Sequence, residues 1–153
     1  MDADSLTLVE RRPRPKGRFW RVFAPSAEFP APWWDEETRV DDRDYWISAH
    51  RDGVEVVRCK FTLDEGPLDS KVLGPMPHGQ LDILAFEVAL SARRQGIGRA
   101  ALQAIRRLYP APRLTALNDD AVSRRFWDGI GWVRHESTNP IFAGVERVTY
   151  SEP

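Results

Sequence analysis

At 153 residues the chain suits one compact domain and is long enough to bury a core without disulfide staples. Hydrophobic residues make up 42% and charged residues 29%, which excludes a disordered or fibrous chain; a formal net charge of -1 gives no global argument for binding nucleic acid or a membrane surface. The single cysteine, Cys59, excludes an intramolecular disulfide and points to a reducing compartment. Its apolar, strand-like surroundings (Val56-Val57-Arg58-Cys59-Lys60-Phe61) favour a buried structural thiol over a nucleophile. Met1-Asp2-Ala3-Asp4-Ser5 carries neither a basic nor an apolar region, so no signal peptide is expected. No apolar run reaches the ~20 residues of a spanning helix. The expectation is a soluble, cytoplasmic protein.

Residues 1–44 form an N-terminal segment whose structure is hard to read. A basic cluster (Arg11, Arg12, Arg14, Lys16, Arg18, Arg21) precedes an acidic one (Asp35, Glu36, Glu37, Asp41, Asp42, Asp44), and Pro25, Pro30 and Pro32 between them argue against a long helix. Arg18 to Phe23 is β-prone. From Tyr45 the pattern sharpens. Tyr45–Ala49 and Val54–Phe61 flank Arg51-Asp52-Gly53, and Asp-Gly between two β-rich runs predicts a hairpin. A Gly- and Pro-rich loop (Gly66, Pro67, Gly74, Pro75, Pro77) leads to a predicted third strand, Leu81 to Leu90. Beyond Gly98, the positions Ala101, Leu102, Ile105, Leu108 and Tyr109 fall on one helical face, and Pro110 and Pro112 end that helix. Leu114–Leu117 reads as a short strand. Asp120 is placed to cap a second helix with an apolar face of Val122, Phe126 and Ile130 and a stop at Gly131. Trp132–Arg134 and Val145–Tyr150 read as terminal strands. The order describes one α/β domain on a mixed sheet, with its core in residues 45–153.

The segment Arg93-Arg94-Gln95-Gly96-Ile97-Gly98 lies between a predicted strand and a predicted helix. Glycine lets a backbone approach a ligand closely and adopt left-handed angles. The first amides of a helix lack intrahelical partners and sit at the positive end of its dipole, so the segment suits a pyrophosphate. Arg93, Arg94 and Arg99 bring cations to the same place. Gly96 to Ala101 also matches the dinucleotide fingerprint G-x-G-x-x-G/A, with Asp119 and Asp120 further on. That fold wants its first glycine directly after the strand, whereas Ser91 to Gln95 intervene here. A tight turn with solvated arginines is the plainest alternative.

Two stretches carry a resemblance. Val88 to Leu102 resembles motif A of the GNAT superfamily of acetyltransferases, which runs from a strand valine to R/Q-x-x-G-x-G/A and into a helix. Asp120 to Trp132, with Phe126-Trp127 and Gly131-Trp132, resembles the family's downstream segment N-x-x-A/S-x-x-F/L-Y/W-x-x-x-G-F/W. The resemblance covers roughly residues 45–135. It implies an α+β fold: a mixed, mostly antiparallel sheet flanked by helices. It also implies an enzyme that moves an acetyl group from acetyl-CoA to a primary amine of a small molecule or protein, by direct attack in a ternary complex.

Residue by residue, the resemblance places the pantetheine arm on backbone groups of Phe86, Val88 and Leu90. The pyrophosphate falls on Arg93, Arg94, Gln95, Gly96, Ile97, Gly98 and Arg99, and the amide of Val88 polarises the thioester. Asp82 is the first candidate for general base and Glu87 the second; in a regular strand Asp82 shares a face with Val88 and Glu87 points the other way, unless a bulge intervenes. Two positions depart from the family pattern. Trp127 stands where a thiolate-protonating tyrosine is frequent, which leaves that role to water or to a group such as Tyr150. Asp120 stands where an asparagine usually contacts the cofactor. Both are carried as cofactor-binding positions, Trp127 as a wall of the pantetheine channel.

His50, His78 and His135 show no metal-ligand spacing, so no metal is expected. Trp33 and Trp34, beside Asp35-Glu36-Glu37, read as an aromatic core patch or as a lid for a cationic amine. The basic cluster reads as a solvated arm rather than a nucleic-acid site. Oligomeric state is left open, a homodimer included. The alternative function, from a different class, is a non-catalytic acyl-CoA sensor or interaction module on the same fold.

Overall fold

The structure is a computed structural model describing residues 2–11, 19–35, 38–39, 44–118, 121–136 and 148–153. Its strands begin with β1 (Thr7–Arg11), β2 (Phe19–Trp20), β3 (Thr38–Arg39), β4 (Asp44–Arg51) and β5 (Val54–Asp64). They continue with β6 (Leu68–Ser70), β7 (Gly74–Met76), β8 (Gln80–Val88), β9 (Arg113–Asn118), β10 (Val133–Glu136) and β11 (Val148–Ser151). Helix α1 (Ile97–Leu108) follows β8, and α2 (Ala121–Gly129) follows β9. This is an α+β fold on a mixed, mostly antiparallel sheet. Among the described residues no helix is long and apolar enough to cross a membrane.

The chain divides into two compact units. The first comprises Met1–Phe61 and Ala85–Tyr109, with strand order β1-β4-β5-β8. β1 pairs antiparallel with β4, from Thr7↔His50 to Arg11↔Trp46. Asp52 (φ 52) and Gly53 (φ 78) turn β4 into β5, both in the left-handed region that a two-residue hairpin requires. The core of this unit joins Trp34, Trp46, Val56, Val57, Ala85, Ala89, Ile97, Ala100 and Ala101. Small residues on α1 let the helix settle closely. Cys59 is fully buried, and burial pushes its thiol pKa up, as expected of a structural cysteine.

The second unit comprises Thr62–Leu84 and Pro110–Pro153, with strand order β8-β9-β11-β10. β8 and β9 are parallel, from Gln80↔Arg113 to Ile83↔Ala116. β11 is antiparallel to both β9 and β10. The pairings Ile83↔Ala116 and Ala116↔Tyr150 put these residues on one face, and all three are buried.

Several elements differ from the sequence reading. Among the described residues of the expected 18–23 strand only Phe19–Trp20 pair, while Val22 and Phe23 are buried outside any strand. The reason is long-range. Buried Arg58 donates to the Ala24 carbonyl (2.9 Å) and lies over the rings of Phe23 and Phe29 (4.7 and 4.3 Å), pulling the chain out of the extended path. The strand expected through Leu90 stops at Val88, and Leu90–Ala92 is a 3₁₀ turn. Glu28 imposes that stop: its carbonyl accepts the Leu90 N–H (3.0 Å) and its carboxylate the Ser91 N–H (2.8 Å). The Gly- and Pro-rich loop holds the β6–β7 ribbon, in which Asp69 pairs with Pro75. On α2, Val122 is 74% exposed, Phe126 is half-buried and Trp127 is buried, so the apolar face is rotated from the expected one. Trp132 precedes β10 and Ser151 extends β11. The proposed Asp120 cap and residues 145–147 lie outside the described residues.

Candidate cofactor and base sites

In the first unit the loop after β8 is built to leave backbone donors open. Arg94 (φ 64) and Gly96 (φ 74) are both left-handed, an uncommon angle for an arginine. Gly96 is the N-cap of α1 and caps it with no side chain. The first intrahelical bond reaches back from Ala100 N–H to the Gly96 carbonyl (3.1 Å). The amides of Ile97, Gly98 and Arg99 therefore precede the helical ladder. The first turn of α1 contains no acidic residue to quench the positive helix end. Arg94 and Arg99 are exposed beside it.

The other loop side chains brace the loop. Gln95 accepts from Arg51 (3.1 Å) and donates to the Ser91 carbonyl (3.4 Å). Arg93 donates through Nε to the Val88 carbonyl (3.0 Å) and pairs with Glu87 (3.3 Å).

The end of β8 carries Phe86 and Val88. Ala89 N–H donates to the Val56 carbonyl of β5 (2.8 Å). Backbone groups alternate along an extended strand, so those of Phe86 and Val88 point to the opposite strand edge. The parallel ladder of β8 ends at Ile83. Leu90 does not share this arrangement: it sits on the 3₁₀ turn, and its N–H is held by Glu28.

Glu87 is an anchor. Its Oε1 accepts from the Ala31 N–H (3.3 Å) and from Trp34 Nε1 (2.9 Å), while Oε2 accepts from Arg93. Trp34 is buried and meets Phe23 edge-on (5.2 Å), so it belongs to the core; Trp33 is 37% exposed.

In the second unit, Asp82 is part of a hydrogen-bonded row. Gln80 Nε2 donates to Thr115 Oγ1 (2.8 Å), and Thr115 Oγ1 donates to Asp82 Oδ1 (2.8 Å). Burial raises the pKa of Asp82, opposed by the Thr115 hydrogen bond, which favours the carboxylate. A carboxyl group whose pKa is raised holds a proton more strongly than an ordinary aspartate, which makes its carboxylate the better base. Thr115 and Gln80 carry no motif; Gln80 lies two residues before Asp82 on β8, and only the β8–β9 pairing brings Thr115 to them.

Trp127 is buried against Trp132 (4.7 Å) and Tyr150 (6.4 Å). The Tyr150 hydroxyl donates to Asp128 (3.0 Å), and burial raises its pKa. Both aromatic side chains serve the core. His78 is exposed, His50 hydrogen-bonds Ser48 (3.0 Å) and His135 hydrogen-bonds Ser151 (2.8 Å). Among the described residues no group of three potential ligands is placed to hold a metal ion.

No protein-family model matches the sequence, and no curated protein matches it. Solved structures do. An acetyltransferase from Thermus thermophilus is 15% identical with a TM-score of 0.54, covering 74% of this chain and 66% of its own. A GNAT-family acetyltransferase from Streptococcus agalactiae is 14% identical with a TM-score of 0.50, covering 70% and 64%. The chain thus spans about two thirds of the length of these structures. Likeness at such identity concerns the backbone, and on that ground the chain has the fold of the GNAT acetyltransferases.

Proposed function

We propose that the chain is an N-acyltransferase that moves an acetyl group from acetyl-CoA to a primary amine. The observation that carries this reading is the left-handed Gly96 cap, which leaves the first turn of α1 without a side-chain acceptor. An anion with several acceptor oxygens fits there, because the amides of Ile97, Gly98 and Arg99 and the side chains of Arg94 and Arg99 all donate. Phe86 and Val88 of β8 offer the alternating donors and acceptors that an extended pantetheine arm pairs with. Arg93 gives up the Val88 carbonyl in the process.

Acetyl-CoA supplies an activated acyl group as a thioester. The amine nitrogen forms the new C–N bond, the C–S bond breaks, and CoA leaves as a thiolate that takes a proton from water. Asp82 takes the proton the amine loses, directly or through water, and the Val88 N–H stabilises the developing oxyanion. Glu87 keeps its partners.

The test has two arms. CoA should raise the melting temperature of the wild type and leave that of Gly96→Val and Gly98→Val unmoved; equal shifts in all three would put the cofactor elsewhere. Thiol release from acetyl-CoA should require an amine drawn from a panel. A second reading, an acyl-CoA-binding module without turnover, draws on Trp127 and on the commitment of the Tyr150 hydroxyl to Asp128, which leave no tyrosine for the thiolate. Tight CoA binding without amine-dependent release, unaltered by Asp82→Asn, would select it.

A further inference from the structure

We infer that Thr115 is the positioning residue of Asp82, its hydroxyl fixing which carboxylate oxygen receives the substrate proton. The inference rests on the acyltransferase reading for its functional part, while its geometric part stands alone. Thr115 is fully buried, and its hydroxyl has one proton to give. Its two neighbours are a carboxylate oxygen, which accepts only, and the Gln80 side-chain amide. If the amide turned its oxygen to Thr115, two acceptors would compete for that proton and one buried contact would fail. With Gln80 Nε2 donating, the Thr115 oxygen is filled as an acceptor and its proton is driven onto Asp82 Oδ1. The direction of the row is thereby set: Gln80 to Thr115 to Asp82.

This fixes the carboxylate plane and occupies Oδ1. Among the described residues no hydrogen bond is made to Oδ2, so Oδ2 is the oxygen left to accept a proton. The row also counteracts burial. A hydrogen bond donated to the charged form keeps Asp82 ionised at a lower pH than burial alone would permit.

The neighbouring titratable groups are otherwise engaged. Arg113, on the same sheet face as Gln80, donates to the Leu73 carbonyl (2.9 Å) and to Ser151 (3.0 Å). His135 meets Ser151, Glu152 accepts the Leu114 N–H (3.1 Å), and Asp64 accepts the Gly66 N–H (3.1 Å). The nearest lever on Asp82 is therefore the Thr115 hydroxyl.

The test compares Thr115→Val, which keeps the shape and removes the donor, with Thr115→Ser, which keeps the donor. Carboxyl-detected NMR titration of Asp82 needs no turnover. It should move to higher pH in the valine variant, on the order of one pH unit, and return in the serine variant. The acidic limb of kcat/KM for the amine should follow the same displacement while KM for acetyl-CoA stays put. An unmoved NMR titration in Thr115→Val overturns the geometric inference whatever the activity. A moved titration with an unmoved limb overturns the functional one. An enzyme whose turnover survives Asp82→Asn fails at the underlying reading instead. Should the valine variant not fold, Thr115→Ala removes the same donor in a smaller side chain; its titration must shift in the same direction, and an unshifted one counts against the row.

Discussion

Asp82 illustrates how one half-buried carboxyl group ties stability to chemistry. Its pKa lies above that of an ordinary aspartate because burial penalises the charge. A raised folded-state pKa means a stabilising contribution that is present below the unfolded pKa and lost as pH rises through the folded one. The ionised form of the side chain is therefore the costly one. Asp82→Asn keeps an oxygen for Thr115 to donate to and removes the charge. It should melt higher than the wild type at pH 7, with the advantage vanishing as pH falls into the usual carboxylate range. The same substitution should lower amine-dependent kcat/KM by ~10²-fold or more. A variant that is less stable at pH 7 would show that Asp82 is not strained by burial. Asp82 was nameable as a candidate through the family resemblance, which expects a carboxylate on the strand before the loop. Thr115 was not, because nothing local links a threonine on β9 to an aspartate on β8. Asp120 falls outside the described residues and carries no such argument.

At the scale of elements, the turn from β8 into α1 depends on Glu87 and Gly96 in different ways. Glu87 receives three donors and connects Ala31 and Trp34 to Arg93. Glu87→Ala would leave the buried Trp34 N–H without its acceptor, at a cost of about 2 kcal/mol in urea unfolding, and would alter tryptophan fluorescence. Glu87→Gln should leave the acidic limb of the pH profile in place, since in the proposed reading the limb belongs to Asp82; its disappearance would return Glu87 to the role of base. Gly96 acts through backbone angle. At φ 74 a Cβ costs about 1 kcal/mol, so Gly96→Ala should lose that much stability and a larger share of CoA affinity. The affinity should also weaken between roughly 0.05 and 0.5 M salt as the arginines are screened, as expected for exposed charges. The Gly96 loop and the Asp52-Gly53 turn were legible because local backbone angles dictate them. The early end of β8 and the brevity of β2 were not, because Glu28 and Arg58 impose them from far along the chain.

At the scale of the whole molecule, Cys59 offers a probe that is independent of catalysis. It lies in the middle of β5, fully buried, with its thiol held in the protonated form by that burial. The thiolate is the reactive form, so both access and ionisation protect it. An aromatic disulfide reagent should leave the native protein unlabelled at pH 8 and modify it at the rate at which the unit opens. Rapid labelling without denaturant would contradict the burial. Acetyl-CoA, whose sulfur is masked, binds the folded state alone in the proposed reading. At a concentration about 100 times its Kd it adds about 2.7 kcal/mol to the opening free energy, which is a ~100-fold slowing of labelling. The slowing should be lost in Gly96→Val and retained in Asp82→Asn, because the first alters where the cofactor is held and the second only where the proton goes. Equal slowing in both variants would detach the Gly96 loop from cofactor binding. Loss in both would place Asp82 in the binding site rather than in proton transfer.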